Sequence, residues 1–221
     1  MTVELFEHAL SNIKNDEELA YIMGVRKAEA HLLDKISYNI ENSPFKDQYN
    51  IDYIKPEYNN KGHDMKRLDL GIFFKCQDQP GVICEAKYYY SSDCIFKKTK
   101  SRKPTRDEKW VRDDIEKLNK IQGNLKKPGK TEKIFLFFLA HFDSMELPEH
   151  IPYYNLQKRA RENITSCEQL YRKAVDHHLN GFKDLHLEVK QIESKIGKYH
   201  NIPVHLNTMI IKIPEDYTLP S

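Results

Sequence analysis

Apolar residues recur at three- and four-residue spacing through the first forty positions: Leu19, Ile22, Met23, Ala30, Leu33, Ile36 and Ile40. That period predicts helix. Asn15 or Asp16 can cap its start, and Ser43-Pro44 ends it. Gln48 to Tyr58 alternates weakly around Ile51 and Tyr53 and reads as a strand, followed by a turn at Asn59-Asn60-Lys61-Gly62. Two β-rich runs come next, Lys66 to Lys75 and Val82 to Tyr90. The turn material Gln77-Asp78-Gln79-Pro80-Gly81 between them predicts an antiparallel hairpin. Thr105 to Gln122 sets Trp110, Ile115, Leu118 and Ile121 on one side of a helix that Gly123 stops. Lys133 to Phe142 is apolar almost without interruption, the pattern of a strand covered on both faces. Asn155 to Asn180 reads as a helix ending at Gly181, residues 182–197 fit either period, and Pro203 to Ile213 reads as a last strand. Helix, three strands, helix, strand predicts an α/β (α+β) fold, a mixed sheet flanked by helices.

At 221 residues the chain fits a single domain, 1–221, able to bury a full core. Its 11% aromatics oppose a long disordered tail, and 8 Gly with 10 Pro exclude collagen-like or low-complexity sequence. The longest apolar run, Ile134 to Ala140, is far short of the ~20 residues of a spanning helix. The first residues carry acids and no signal-peptide pattern, so a cytoplasmic protein without a membrane partner is expected. The four cysteines form no C-x-x-C pair, and free thiols are expected.

Net charge is +2, but its distribution is uneven: Lys87 to Lys133 holds 15 Lys and Arg against 7 Asp and Glu. The densest part contains Lys97, Lys98, Lys100, Arg102 and Lys103. Such a patch suits a phosphate backbone. It equally suits a solvated loop.

Alternation sets Asp69, Gly71 and Phe73 on one face of their strand, and Ile83, Glu85, Lys87 and Tyr89 on one face of the next. In a hairpin, opposed residues have a constant sum. Asp69 opposite Glu85 centres the turn on 77, and Asp69 opposite Lys87 centres it on 78; both lie in the turn material. Either way an Asp, a Glu and a Lys converge, with Gly71 leaving room beside them. Two carboxylates and a main-chain carbonyl are hard ligands suited to Mg²⁺ or Mn²⁺. A lysine there can orient a water, stabilise developing charge, or act as base if its pKa is depressed. The same trio also makes an ordinary cross-strand ion pair on a solvated face.

Asp69, fifteen residues, then Glu85-Ala86-Lys87 resembles the active-site signature of the PD-(D/E)XK nuclease superfamily, and the element order resembles its restriction-endonuclease-like core. The likeness spans roughly residues 17–142, with 143–221 as a C-terminal elaboration. Leu68 precedes the first acid where proline is common in the family. The resemblance implies a Mg²⁺-dependent endonuclease of restriction or phage-defence type. Asp69, Glu85 and the Ala86 carbonyl would hold metal, Glu29 on the first core helix would complete the site, and Lys87 would serve the attacking water. Asp114, with Lys117 three residues on, would point toward the site from the following helix.

Duplex DNA is the expected substrate. Tyr89, Lys97, Lys98, Lys100, Arg102, Lys103, Arg106 and Lys117 are its candidate contacts, within a basic segment running to Arg112. A homodimer is compatible with cutting both strands. Two other readings stay open: a nucleic-acid-binding or interaction module of the same fold without catalysis, and a nuclease for RNA or branched DNA.

Overall fold

Even- and odd-numbered residues of the central strands meet different helices, and this divides the protein into layers. A computed structural model describes residues 2–57, 68–95, 106–123, 125, 131–147, 164 and 166–220, with backbone only at 94, 95 and 106–108. The elements are α1 (Thr2–Ser11), α2 (Glu17–Val25), α3 (Glu29–Glu41), a short α4 (Phe45–Gln48), β1 (Ile51–Pro56), β2 (Leu70–Phe74), β3 (Val82–Tyr90), a 3-10 turn (Ser91–Ile95), α5 (Arg106–Gly123), β4 (Glu132–Phe142), α6 (Cys167–Asp184), β5 (Val189–Tyr199) and β6 (Ile202–Ile213).

The six strands form one mixed sheet in the order β1-β2-β3-β4-β6-β5. β1, β2 and β3 make an antiparallel meander. The connection through α5 brings β4 parallel to β3. β6 then pairs antiparallel with both β4 and β5. Val82, Cys84, Ala86, Tyr88 and Tyr90 of β3, with Ile134, Leu136 and Phe138 of β4, pack against Leu5 and Phe6 of α1, Leu19 and Met23 of α2, and Leu32 and Ile36 of α3. Ile83 and Tyr89, with Phe135, Phe137 and Leu139, pack against Val111, Ile115 and Leu118 of α5 and Ala174, Val175 and Phe182 of α6. Every β4 residue from Lys133 to Phe142 is buried, as its apolar run predicts for a strand covered twice.

The structure corrects three local readings and resolves a fourth. The N-terminal helical stretch is three helices, because the chain turns extended at Arg26 (φ −160°, ψ 171°). Asp16 caps α2 by accepting from the Leu19 N–H at 2.9 Å. Ala30 is exposed, since the break resets the buried face of α3 to Leu32, Leu33, Ile36 and Ile40. α6 begins at Cys167, where Ser166 accepts from the Gln169 N–H, and runs through Gly181 to Asp184; residues 155–163 and 165 of the helix read there lie outside the described residues. Residues 189–199, ambiguous by period, are strand. Their hairpin with β6 turns on His200 and Asn201, both left-handed at φ 48° and 64°, the backbone of a type I′ turn. The turn read at 59–62 lies outside the described residues. Among the described residues no helix is long and apolar enough to cross a membrane.

Gly24 lets α2 lie on β5: a Cβ there would meet the Tyr199 ring at 2.5 Å. Gly24→Ala is expected to destabilise the fold by about 1–3 kcal/mol through overpacking. Gly181→Ala points into open space and is expected to stabilise α6 by about 0.5–1 kcal/mol. Denaturant titration of the two variants checks both signs.

Candidate active site

β2 and β3 pair Leu70 with Cys84, Gly71 with Ile83 and Ile72 with Val82. Continuing that register sets Asp69 opposite Glu85 and excludes the alternative that faces Asp69 with Lys87. The ladder stops there. The next inward N–H of β3, that of Ala86, donates to the Asp69 carboxylate at 2.8 Å, and the Asp69 carbonyl accepts from the Glu57 N–H at 3.0 Å. Side chain and main chain together pin Asp69 at the mouth of the hairpin. The N–H and C=O of one extended residue leave a strand on the same side, so the Ala86 carbonyl lies on that edge too.

Glu85 and Lys87 interrupt an apolar row, between Ile83 and Tyr89, and α5 covers them. Glu85 is 2% exposed. Lys117 of α5 sets its Nζ 2.5 Å from Glu85 Oε1, and Asp114 receives the Lys87 ammonium at 2.8 Å. Residues two apart on the strand share a face, as do residues three apart on the helix. The two pairs run in opposite chain order because α5 returns antiparallel to β3. Glu29, the first residue of α3, is half-buried on the other side of the mouth. Its carboxylate feels Lys87, Asp69 and Lys27, and accepts from the Tyr88 main-chain N–H.

This cluster holds four carboxylates, Glu29, Asp69, Glu85 and Asp114, with three ammonium groups acting on them, Lys87, Lys117 and Lys27. Burial, and then the Asp69 charge, pushes Glu85 up to about 8 despite Lys117. Burial also raises Glu29 and Asp114. Among the described residues no group of three or more His, Cys, Asp or Glu side chains is arranged to hold a metal ion. A cation here would rest on Asp69, Glu85 and the Ala86 carbonyl. These oxygens are hard donors of the kind a divalent ion prefers.

Burial alone would lower the Lys87 pKa, but Asp114, Glu29 and Asp69 outweigh that and raise it. The raised pKa favours the ammonium form, which suits orienting a water or balancing charge; the depressed pKa that a base would need is not what these neighbours produce. Asp114 does point into the site from α5, as its place in the sequence suggests.

The nucleic-acid contacts fare differently. Tyr89 is buried, stacked on Phe137 at 5.1 Å and beside His178 at 5.7 Å, because α6 covers that end of the sheet face. The reading of its ring as an open stacking surface is corrected. Lys117 turns inward to Glu85. Arg112 donates to the Pro220 carbonyl at 3.0 Å, part of a C-terminal strap over α5. Arg106 opens α5, and only its backbone is described. Lys97, Lys98, Lys100, Arg102 and Lys103 lie outside the described residues.

Sequence reasoning passed over Lys27. It sits in the break before α3, acts on Glu29, and holds its Nζ 5.7 Å from the centre of the Tyr89 ring. Its only sequence signal is closeness to Glu29.

Glu85 has an ordinary pKa of 4.5 and a folded one of about 8. Between those values the folded chain binds more protons than the unfolded one, so stability falls as pH rises through that window. Metal-free protein is expected to lose on the order of a few kcal/mol from pH 5 to 8. In Glu85→Gln the slope is expected to flatten. Denaturation of both proteins across that range checks it, and equal slopes contradict it.

Comparison with protein-family models, with curated proteins and with solved structures finds no match to this chain.

Proposed function

We propose that the chain is a divalent-cation-dependent nuclease that hydrolyses phosphodiester bonds, with duplex DNA as its substrate. One observation carries the reading: Asp69 and Glu85 stand opposite each other where the β2–β3 ladder ends, with Lys87 two residues on along the same strand face. The order α3, β1-β2-β3 meander, α5, parallel β4 supports a restriction-endonuclease-like core. It sets the mouth of the β2–β3 hairpin between α3 and α5.

Asp69, Glu85 and the Ala86 carbonyl would hold Mg²⁺ or Mn²⁺, with Glu29 near them. When bound, such an ion supplies charge neutralisation at a phosphate oxygen and lowers the pKa of a water. The chain's own contribution is positional. The Ala86 N–H fixes Asp69. Asp114 holds the Lys87 ammonium at a defined place, where it orients the attacking water and balances charge on the phosphate. The basic stretch from Lys97 to Arg106 follows the site in sequence and suits the phosphate backbone on either side of the cleaved bond. Nothing in these groups selects DNA over RNA, since both present the same phosphodiester.

A second reading has its own support. Glu85–Lys117 and Lys87–Asp114 form two ion pairs that need no metal, as in a binding module that keeps the fold without turnover.

Plasmid cleavage with and without Mg²⁺ separates the two. The nuclease reading expects metal-dependent cleavage that falls by roughly 10²-fold or more in Asp69→Asn and in Lys87→Ala, with unchanged circular dichroism. Salt-sensitive DNA binding without cleavage in any metal favours the binding module.

A further inference from the structure

Glu85 Oε1 faces the Lys117 ammonium at 2.5 Å. The same carboxylate belongs to the donor set assigned above to a divalent ion. An ammonium at that distance and a divalent cation on the same carboxylate are like charges a few ångströms apart. Beneath α5 little water screens them. The two cations compete for the negative charge of Glu85.

The two lysines of the site differ in what binding asks of them. Lys87 is paired with Asp114, which stands outside the donor set, so a cation leaves that pair intact. Lys117 is paired with a donor, so it competes with the cation for that carboxylate. Its side chain can move, being a flexible four-carbon stem that is 15% exposed and carries a point charge rather than a rigid fork. The anionic group that a phosphodiester substrate brings to this mouth offers the displaced ammonium a new partner.

We propose that Lys117 is a built-in counter-cation: it occupies Glu85 until a divalent cation replaces it, and then turns its ammonium to the substrate phosphate. The proposal rests on the nuclease reading and adds regulation to it. Cation and phosphate binding become linked through one side chain. The cation frees the ammonium, the phosphate keeps it off Glu85, and each raises the affinity for the other. Lys117 thereby sets the cation concentration at which the site fills.

The test is calorimetric titration of MgCl₂ into the full chain above pH 8, where protons compete least for the carboxylates. It compares wild type, Lys117→Met, Lys117→Arg and Asp69→Asn. Lys117→Met is expected to bind Mg²⁺ about tenfold tighter than wild type or more. Lys117→Arg, which keeps the charge, should stay within about threefold of wild type. Asp69→Asn should lose binding. If Lys117→Met binds as wild type does, or more weakly, while Asp69→Asn still loses binding, the cation site stands and the counter-cation role is overturned. If neither wild type nor Lys117→Met binds Mg²⁺, the nuclease reading falls and takes the proposal with it. A second measurement needs only wild type: the Lys117 ε-methylene NMR signal should move as Mg²⁺ saturates, and a stationary signal with Mg²⁺ bound overturns the proposal.

Discussion

Charge buried under a helix is the constraint on which the rest of this protein turns. β3 sets Glu85 and Lys87 into an otherwise apolar row, and α5 closes over them. Isolated charges in that position cost several kcal/mol each. The structure offsets this by aiming Lys117 and Asp114 at them from the covering helix, so that α5 is both the lid of the site and its source of counter-charges. The match is incomplete: Asp69 and Glu29 add two further carboxylates at the mouth. A protein that needed only to seal β3 against α5 would be served by apolar residues at 85, 87, 114 and 117. Under the nuclease reading, the carboxylates at this strand end are there to receive a cation.

The placement of α5 matters correspondingly, and the C-terminal residues hold it. Lys133 is 1% exposed and donates to Asn119 Oδ1 at 2.6 Å and to the Glu215 carbonyl at 3.0 Å. Asn119 in turn donates to the Tyr217 carbonyl at 3.0 Å, and the Tyr217 hydroxyl to the Leu185 carbonyl at 2.6 Å. With Arg112 on Pro220, the chain end is strapped along α5 by bonds to its main-chain carbonyls. Residues after 143 therefore do more than decorate the meander. β6 lies against β4, α6 closes the sheet face beyond the site, and the strap fixes the helix that carries Asp114 and Lys117.

Much of this was legible in the chain. The β2–β3 hairpin, the twice-covered β4 and the stripe of α5 each follow from a single period that tertiary contacts reinforce. The convergence of Asp69, Glu85 and Lys87 followed from alternation and the constant sum of a hairpin, and pairing then chose between two registers one step apart. What was not legible has physical reasons. The break between α2 and α3 interrupts an apolar spacing that reads straight through it. β5 is an edge strand whose exposed Lys190, Glu193 and Lys195, falling on both faces, mask its alternation, and its turn is His-Asn rather than Asn-Gly. Alternation put Tyr89 on the face of Glu85 and Lys87 but gave no sign that α6 covers that end. The inward turn of Lys117 depends on how high α5 rides over β3, which no local pattern encodes.

The central claim is that a divalent cation binds where Asp69, Glu85 and the Ala86 carbonyl meet. Paramagnetic broadening by substoichiometric Mn²⁺, read from amide signals of uniformly ¹⁵N-labelled chain, tests it most directly. The account predicts loss of the Asp69, Glu85, Ala86 and Lys87 amide signals first, with Glu29 close behind, and recovery of those signals when excess Mg²⁺ is added. Broadening confined to exposed acids elsewhere, such as Glu116 or Glu168, with the hairpin mouth unaffected, would contradict it.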